Sequence, residues 1–207
     1  SEMCIRDRIC ISCHMGWAAQ DFVWKSGQNM KVVCDTTEAP VVKVALDLLK
    51  RDCRSVLSGN ISRSENTGNI YVGTWGESSV LQALAETRQL DVALLNEHKE
   101  AFLLNVLPDG RLIVAGSDKR GTAYGVLELS RMMGVSPWEW WADAVPEKKE
   151  ELRLPAGFRK LDYPQVAYRG IFINDEDWGL TPWSWKHYEP SERKGQILSL
   201  IHISEPT

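Results

Sequence analysis

At 207 residues, the chain has the length of one to two domains of about 100–200 residues each. With 43% hydrophobic and 25% charged residues, it holds enough apolar material for a packed core, which excludes a disordered chain. A net charge of −4, from 24 Lys and Arg against 28 Asp and Glu, excludes the basic excess of a nucleic-acid binder.

The first element in chain order is read as foreign to the protein. Residues 1–8 are SEMCIRDR and residues 198–207 are LSLIHISEPT. Back-translation of the first gives TCG GAG ATG TGT ATA AGA GAC AG. Its reverse complement, CTG TCT CTT ATA CAC ATC TCC GA, translates as Leu198 to Ser204. One DNA sequence read on opposite strands thus accounts for both termini, and it resembles a transposase adapter of sequencing-library preparation. Both ends are therefore set aside from fold reasoning. The expected domains are 1–8 adapter, 9–155 α/β domain, 156–165 linker, 166–197 start of a barrel, and 198–207 adapter.

Next, Met30–Asp35 (MKVVCD) is a short apolar run of strand type. Thr36-Thr37-Glu38 offers a cap, and Pro40 suits a first helical turn. Val42, Ala45, Leu49 and Cys53 follow at helical spacing. Ser58–Gly68 is polar and reads as a loop. Ile70–Thr74 reads as a strand and Ser78–Gln89 as a second helix. Glu100–Val106 and Arg111–Ala115 flank Pro108-Asp109-Gly110, a strong hairpin signal. Gly116–Gly121 (GSDKRG) reads as a tight loop. Thr122–Met133 reads as a third helix, stopped by Gly134 and Pro137. Pro146–Pro164 combines a charge run with Pro155, Gly157 and Pro164, the composition of a connector. Val166–Asn174 (VAYRGIFIN) has the continuous apolar centre of a buried parallel strand. It runs straight into Asp175-Glu176-Asp177. Alternation of strands and helices implies an α/β fold with a mixed sheet. No apolar run approaches the roughly 18 residues of a membrane span, so no membrane partner is expected.

Several stretches could carry chemistry. Cys10-Ile11-Ser12-Cys13-His14 matches C-x-x-C-H, the spacing of covalent haem attachment. It abuts the adapter, has no second axial ligand nearby, and reads as coincidence. A lone C-x-x-C also lacks the second pair of a closed zinc site. No cofactor and no metal are expected. Gly73-Thr74-Trp75-Gly76-Glu77-Ser78 has neither the Lys of a phosphate loop nor the third Gly of a dinucleotide fingerprint. It reads as a turn with a helix cap. Ser117-Asp118-Lys119-Arg120-Gly121 reads on composition as a solvated turn. Six of the nine Trp fall between Trp138 and Trp185. Trp138-Glu139-Trp140-Trp141 could stack on sugar rings or plug an interface. Asn174-Asp175-Glu176-Asp177 sets polar groups at the carboxyl end of an apolar strand, where parallel α/β folds and barrels place ligands and catalytic groups. A helix cap or a calcium loop is the alternative for that stretch.

Three blocks together resemble one family. Gly116–Gly125 (GSDKRGTAYG), Gly134–Asp143 (GVSPWEWWAD) and Tyr168–Asp177 (YRGIFINDED) are similar, in order and spacing, to signatures of the glycoside hydrolase family 115 α-glucuronidases. The resemblance covers about Trp17 to Ile197. It implies an N-terminal mixed-sheet α/β domain followed by the first strand of a truncated (β/α)8 barrel. It also implies inverting hydrolysis of (4-O-methyl-)glucuronic acid side chains from xylan. The partner it implies is a glucuronic-acid-decorated xylan or oligosaccharide. It suggests a secreted or periplasmic enzyme and allows a homodimer of the intact protein. The catalytic acid and base are expected beyond Ile197, leaving this chain alone inactive. Asn174 and Asp175 match positions lining the uronic-acid pocket. Asp118, Lys119 and Arg120 match the family's charged loop, a weaker match to substrate binding. The competing readings are a non-catalytic carbohydrate-binding module and another glycosidase, such as a hexosaminidase, with an α/β domain before a barrel.

Overall fold

A computed structural model of the chain describes residues 19–170, apart from 88, 89, 91 and 140–143. The chain divides into two compact units. One runs to Pro137 and resumes at Val145–Pro164, and the other comprises Trp138–Ala144 and residues from Gln165 onward.

The first unit holds every regular element of more than one turn among the described residues. In chain order these are β1 (Phe22–Lys25), β2 (Asn29–Cys34), α1 (Pro40–Leu57), β3 (Asn60–Ser64), β4 (Ile70–Thr74), α2 (Ser79–Glu86), β5 (Phe102–Val106), β6 (Leu112–Gly116), α3 (Lys119–Met133), β7 (Glu151–Leu154) and β8 (Arg159–Asp162). A short 3-10 turn covers Ala93–Glu97. Six strands form one sheet in the order β3-β2-β4-β6-β5-β8, and β1 pairs with β7 in a separate ribbon. β3, β2, β4 and β6 are parallel. β5 runs antiparallel to β6 and to β8.

Helices cover both faces of this sheet. α1 and α3 pack with the β1–β7 ribbon against Val32, Ile70, Val72, Leu104 and Val114. α2 and the 3-10 turn pack through Leu81, Leu84 and Leu95 against Val33, Tyr71, Leu103 and Ile113. Alternate residues of β2, β4, β5 and β6 thus feed opposite cores, as the period of two requires. β4 and β6 are buried along their whole length, the mark of central strands covered on both sides.

Local chemistry explains the element ends. Pro40 sits in the first turn of α1, where its missing N–H costs nothing. Gly134 ends α3 at φ +101°, and Val135 N donates back to Ser130 O at 3.0 Å, closing a left-handed cap. Pro108-Asp109-Gly110 turns β5 into β6, with Gly110 at φ +80° and its N–H donating to Leu107 O.

Four expectations are corrected. Ser58–Gly68 contains strand β3, an edge whose half-exposed residues carry no apolar period. The connector at Pro146–Pro164, including the linker at 156–165, contains β7 and β8, which complete a ribbon and the sheet's other edge. The helix at Ser78–Gln89 is observed only over Ser79–Glu86. α3 begins at Lys119, so half of the GSDKRG loop is helix. Of the strand expected at Val166–Asn174, residues 171–174 lie outside the described residues, and Val166–Gly170 form no regular element.

Candidate functional site

β4 and its two neighbours define the carboxyl edge of the sheet. β2 and β6 lead into α1 and α3 on one face, whereas β4 leads into α2 on the other. In open α/β sheets such a parting of connections opens a crevice at the strand ends. The loops after β2, β4 and β6, together with the turn before β5, line that edge.

Glu38 does not cap α1 as the sequence suggests. The cap position is Ala39, which makes no side-chain bond. Glu38 is 4% exposed and reaches across to the end of β4. Its Oε2 accepts from Thr74 N at 3.1 Å and its Oε1 from Thr74 Oγ1 at 2.6 Å. Thr74 Oγ1 lies 2.8 Å from Thr122 Oγ1 on α3. One buried polar chain therefore links the β2–α1 loop, β4 and α3. Asp35 anchors α2 from the same loop, accepting from Ser79 N at 3.0 Å and from Ser79 Oγ at 3.1 Å. Ser78 caps that helix, its Oγ accepting from Leu81 N.

Asp118 holds the loop after β6. Its Oδ1 accepts from Arg120 N and Gly121 N, both at 2.9 Å. Its Oδ2 accepts from Glu100 N at 2.8 Å. Glu100 has the left-handed φ of +56°, and its carboxylate pairs with Arg120 at 3.0 Å. The glycines around this clasp serve close approach. A Cβ on Gly116 would lie 2.0 Å from Thr122 N, and one on Gly121 would lie 2.1 Å from Ala101 O. The GSDKRGTAYG block thus brings the first turn of α3 against β5 and β6. Lys119 is exposed.

Of the residues singled out in the sequence, Asp118, Lys119 and Arg120 come together at this edge. Asn174 and Asp175 lie outside the described residues, as do Cys10, Cys13 and His14, Trp140 and Trp141. Trp138 is 59% exposed. Among the described residues no cluster of His, Cys, Asp and Glu could hold a metal ion, and no helix is long and apolar enough to cross a membrane. Burial pushes the thiols of Cys34 and Cys53 up to about 11, with the charge of Glu38 adding to the effect at Cys34. Neither is a nucleophile near neutral pH. Sequence reasoning missed Asp35, Glu38, Thr74 and Thr122. An Asp directly before a helical period is a cap signal, so the role of Asp118 was available. No local signal marks a Glu that bonds to a strand distant in sequence.

A family model and a solved structure point to the same family. The model of glycosyl hydrolase family 115 matches residues 161–201, of which 198–201 fall in the stretch read as adapter. A solved GH115 4-O-methyl-α-glucuronidase with specificity for decorated arabinogalactans is 58% identical, with a TM-score of 0.74 over 82% of this chain and 22% of that one. The chain belongs to glycoside hydrolase family 115. This family 115 chain therefore spans 22% of the length of that enzyme. More distant structures include CpGH84D (16% identity, TM-score 0.47, 70% of this chain and 22% of that one). An exo-β-N-acetylglucosaminidase from Vibrio harveyi is 14% identical, with a TM-score of 0.43, over 72% of this chain and 18% of that one. No curated protein matches the chain.

Proposed function

We propose that this chain is part of a glycoside hydrolase that removes (4-O-methyl-)glucuronic acid side groups from a plant polysaccharide by inverting hydrolysis. The observation that carries the reading is the 58% identity to a 4-O-methyl-α-glucuronidase over 82% of the chain. The described α/β unit would precede the catalytic barrel, and the run from Val166 to Asn174 would supply the first barrel strand. Inversion needs two carboxyl groups roughly 6.5–9.5 Å apart, one protonating the leaving oxygen and one activating water. Those groups would lie beyond Ile197. Asn174 and Asp175 would bind the uronic acid at the strand's carboxyl end, where barrels place their substrate-facing side chains. Asp175 would act as an ionised acceptor for sugar hydroxyls.

The resemblance in the sequence implies xylan as the polymer, whereas the related enzyme is specific for decorated arabinogalactans. The test is release of methylglucuronate by the intact enzyme from glucuronoxylan and, in parallel, from a glucuronidated arabinogalactan. Hydrolysis of either supports the activity, and the faster one identifies the polymer. Binding of both without release would instead support a carbohydrate-binding module. The 207-residue chain alone should release nothing. In the intact enzyme Asp175→Ala should lower kcat/KM by about ten- to a hundredfold, the loss of one or more charge-assisted hydrogen bonds. Unchanged kcat/KM with a lowered Tm would reduce Asp175 to a structural cap.

A further inference from the structure

The parting of connections around β4 gives the carboxyl edge the layout that α/β folds use to hold anionic ligands. In this chain four of the N–H groups that would meet such a ligand already have carboxylate acceptors. Ser79 N, at the start of α2, donates to Asp35. Thr74 N, at the end of β4, donates to Glu38. Arg120 N and Gly121 N, in the first turn of α3, donate to Asp118. The three carboxylates arrive from the loops after β2 and β6, on either side of β4, and they take the places of a ligand's oxygens. Arg120 is engaged in turn by Glu100.

We infer that Asp35, Glu38 and Asp118 are the built-in anions of this edge, and that the α/β unit is a self-filled scaffold that takes no anionic sugar there. An incoming uronate would meet the half-buried Asp35 and Asp118 in place of open N–H groups, and like charges at short range repel, while the buried Glu38 occupies the donor at the end of β4. The GSDKRG loop is on this account a clasp. Asp118 holds the helix start, fixes the left-handed turn at Glu100 and ties both to β6.

The test uses the 207-residue chain and the variant Asp118→Ala, which removes one carboxylate and leaves room for a formate ion. Loss of the cap and of the Glu100 contact should lower Tm by about 4–8 °C. Formate should restore at least half of that loss, and chloride at equal ionic strength should not. Absence of a formate-specific recovery overturns the inference. Should Asp118→Ala fail to fold in either salt, Asp118→Asn decides. It keeps the Oδ1 acceptor for Arg120 N and Gly121 N and loses a charged acceptor for Glu100 N. Faster amide exchange at Glu100, with Arg120 and Gly121 still protected, supports the clasp, and a uniform change overturns it. In the wild-type chain, titration with glucuronate should leave the amide resonances of Thr74, Ser79, Arg120 and Gly121 unmoved. Saturable shifts at those four amides would make the edge a uronate site and refute the scaffold reading.

Discussion

Gly121→Ala sets two effects of opposite sign against each other within one turn of α3. Helix propensity alone favours the change, because Ala exceeds Gly by up to about 1 kcal/mol in a helix. The local packing opposes it. The added Cβ would lie 2.1 Å from Ala101 O, 2.9 Å from Ala101 C and 3.0 Å from Glu100 C. All three are backbone atoms, so no flexible side chain can swing aside. Relief requires more than an ångström of separation between the α3 start and the turn before β5. Ala101 O also accepts from Ser117 N at 2.9 Å, so the same movement stretches that bond. Overpacking of this kind costs about 1–3 kcal/mol, and weakening the hydrogen bond adds about 1 kcal/mol. The clash therefore wins, with a net loss of about 1–3 kcal/mol. For a chain of this size that is a Tm lower by about 2–12 °C. Thermal unfolding followed by near-ultraviolet circular dichroism measures it directly. A Tm equal to or above that of the wild type would show that α3 does not press on the β5 turn, and the close-approach account of the GSDKRG block would fail.

Glu128 gives a pH dependence. It is 8% exposed and pairs with Arg131 at 2.6 Å and Lys160 at 2.7 Å, tying α3 to edge strand β8. Burial works to raise its pKa, but the hydrogen bonds from Arg131 and Lys160 prevail and hold it below the ordinary 4.5. Its contribution is thus complete above that ordinary value and is lost as pH falls through the lower folded value. Glu128→Gln should lower Tm near neutral pH by several degrees, and the gap to wild type should close as pH falls below the ordinary carboxylate value. A gap that stays constant with pH would mean that the charge contributes nothing. Cys34 and Cys53, with thiols raised to about 11, should alkylate about a hundredfold more slowly than free cysteine at pH 8. Peptide mapping distinguishes them from Cys4, Cys10 and Cys13, and rapid labelling of either would contradict the burial. Deleting Ser1–Arg8 and Leu198–Thr207 should change Tm by no more than about 2 °C. A large loss would defeat their reading as adapter.

Much of the unit was decided by short-range chemistry. Pro40 followed by apolar residues at helical spacing specifies α1, because a proline in the first turn and one apolar face suffice. Pro108-Asp109-Gly110 specifies the β5–β6 hairpin, because Gly110 supplies the positive φ the turn needs. Gly134 specifies the end of α3 for the same reason. The three family-like blocks located the chain in its family, because identity of residues needs no structure to be read.

Tertiary structure decided the rest. β3 and β8 are edges, half exposed and polar, and they become strands only because β2 and β5 offer them unpaired N–H and C=O groups. Glu38 looks like a helix cap in sequence. It becomes a buried link because the sheet order sets the end of β4 beside the β2–α1 loop, 36 residues away in the chain. Asp118 reads as a charge in a solvated loop. In the fold its two oxygens serve three N–H groups, one of them 18 residues earlier at Glu100. Local sequence carries the conformational preferences of each segment. Which buried donor a carboxylate must satisfy depends on which segments the sheet makes neighbours, and that pairing exists only once the chain has folded.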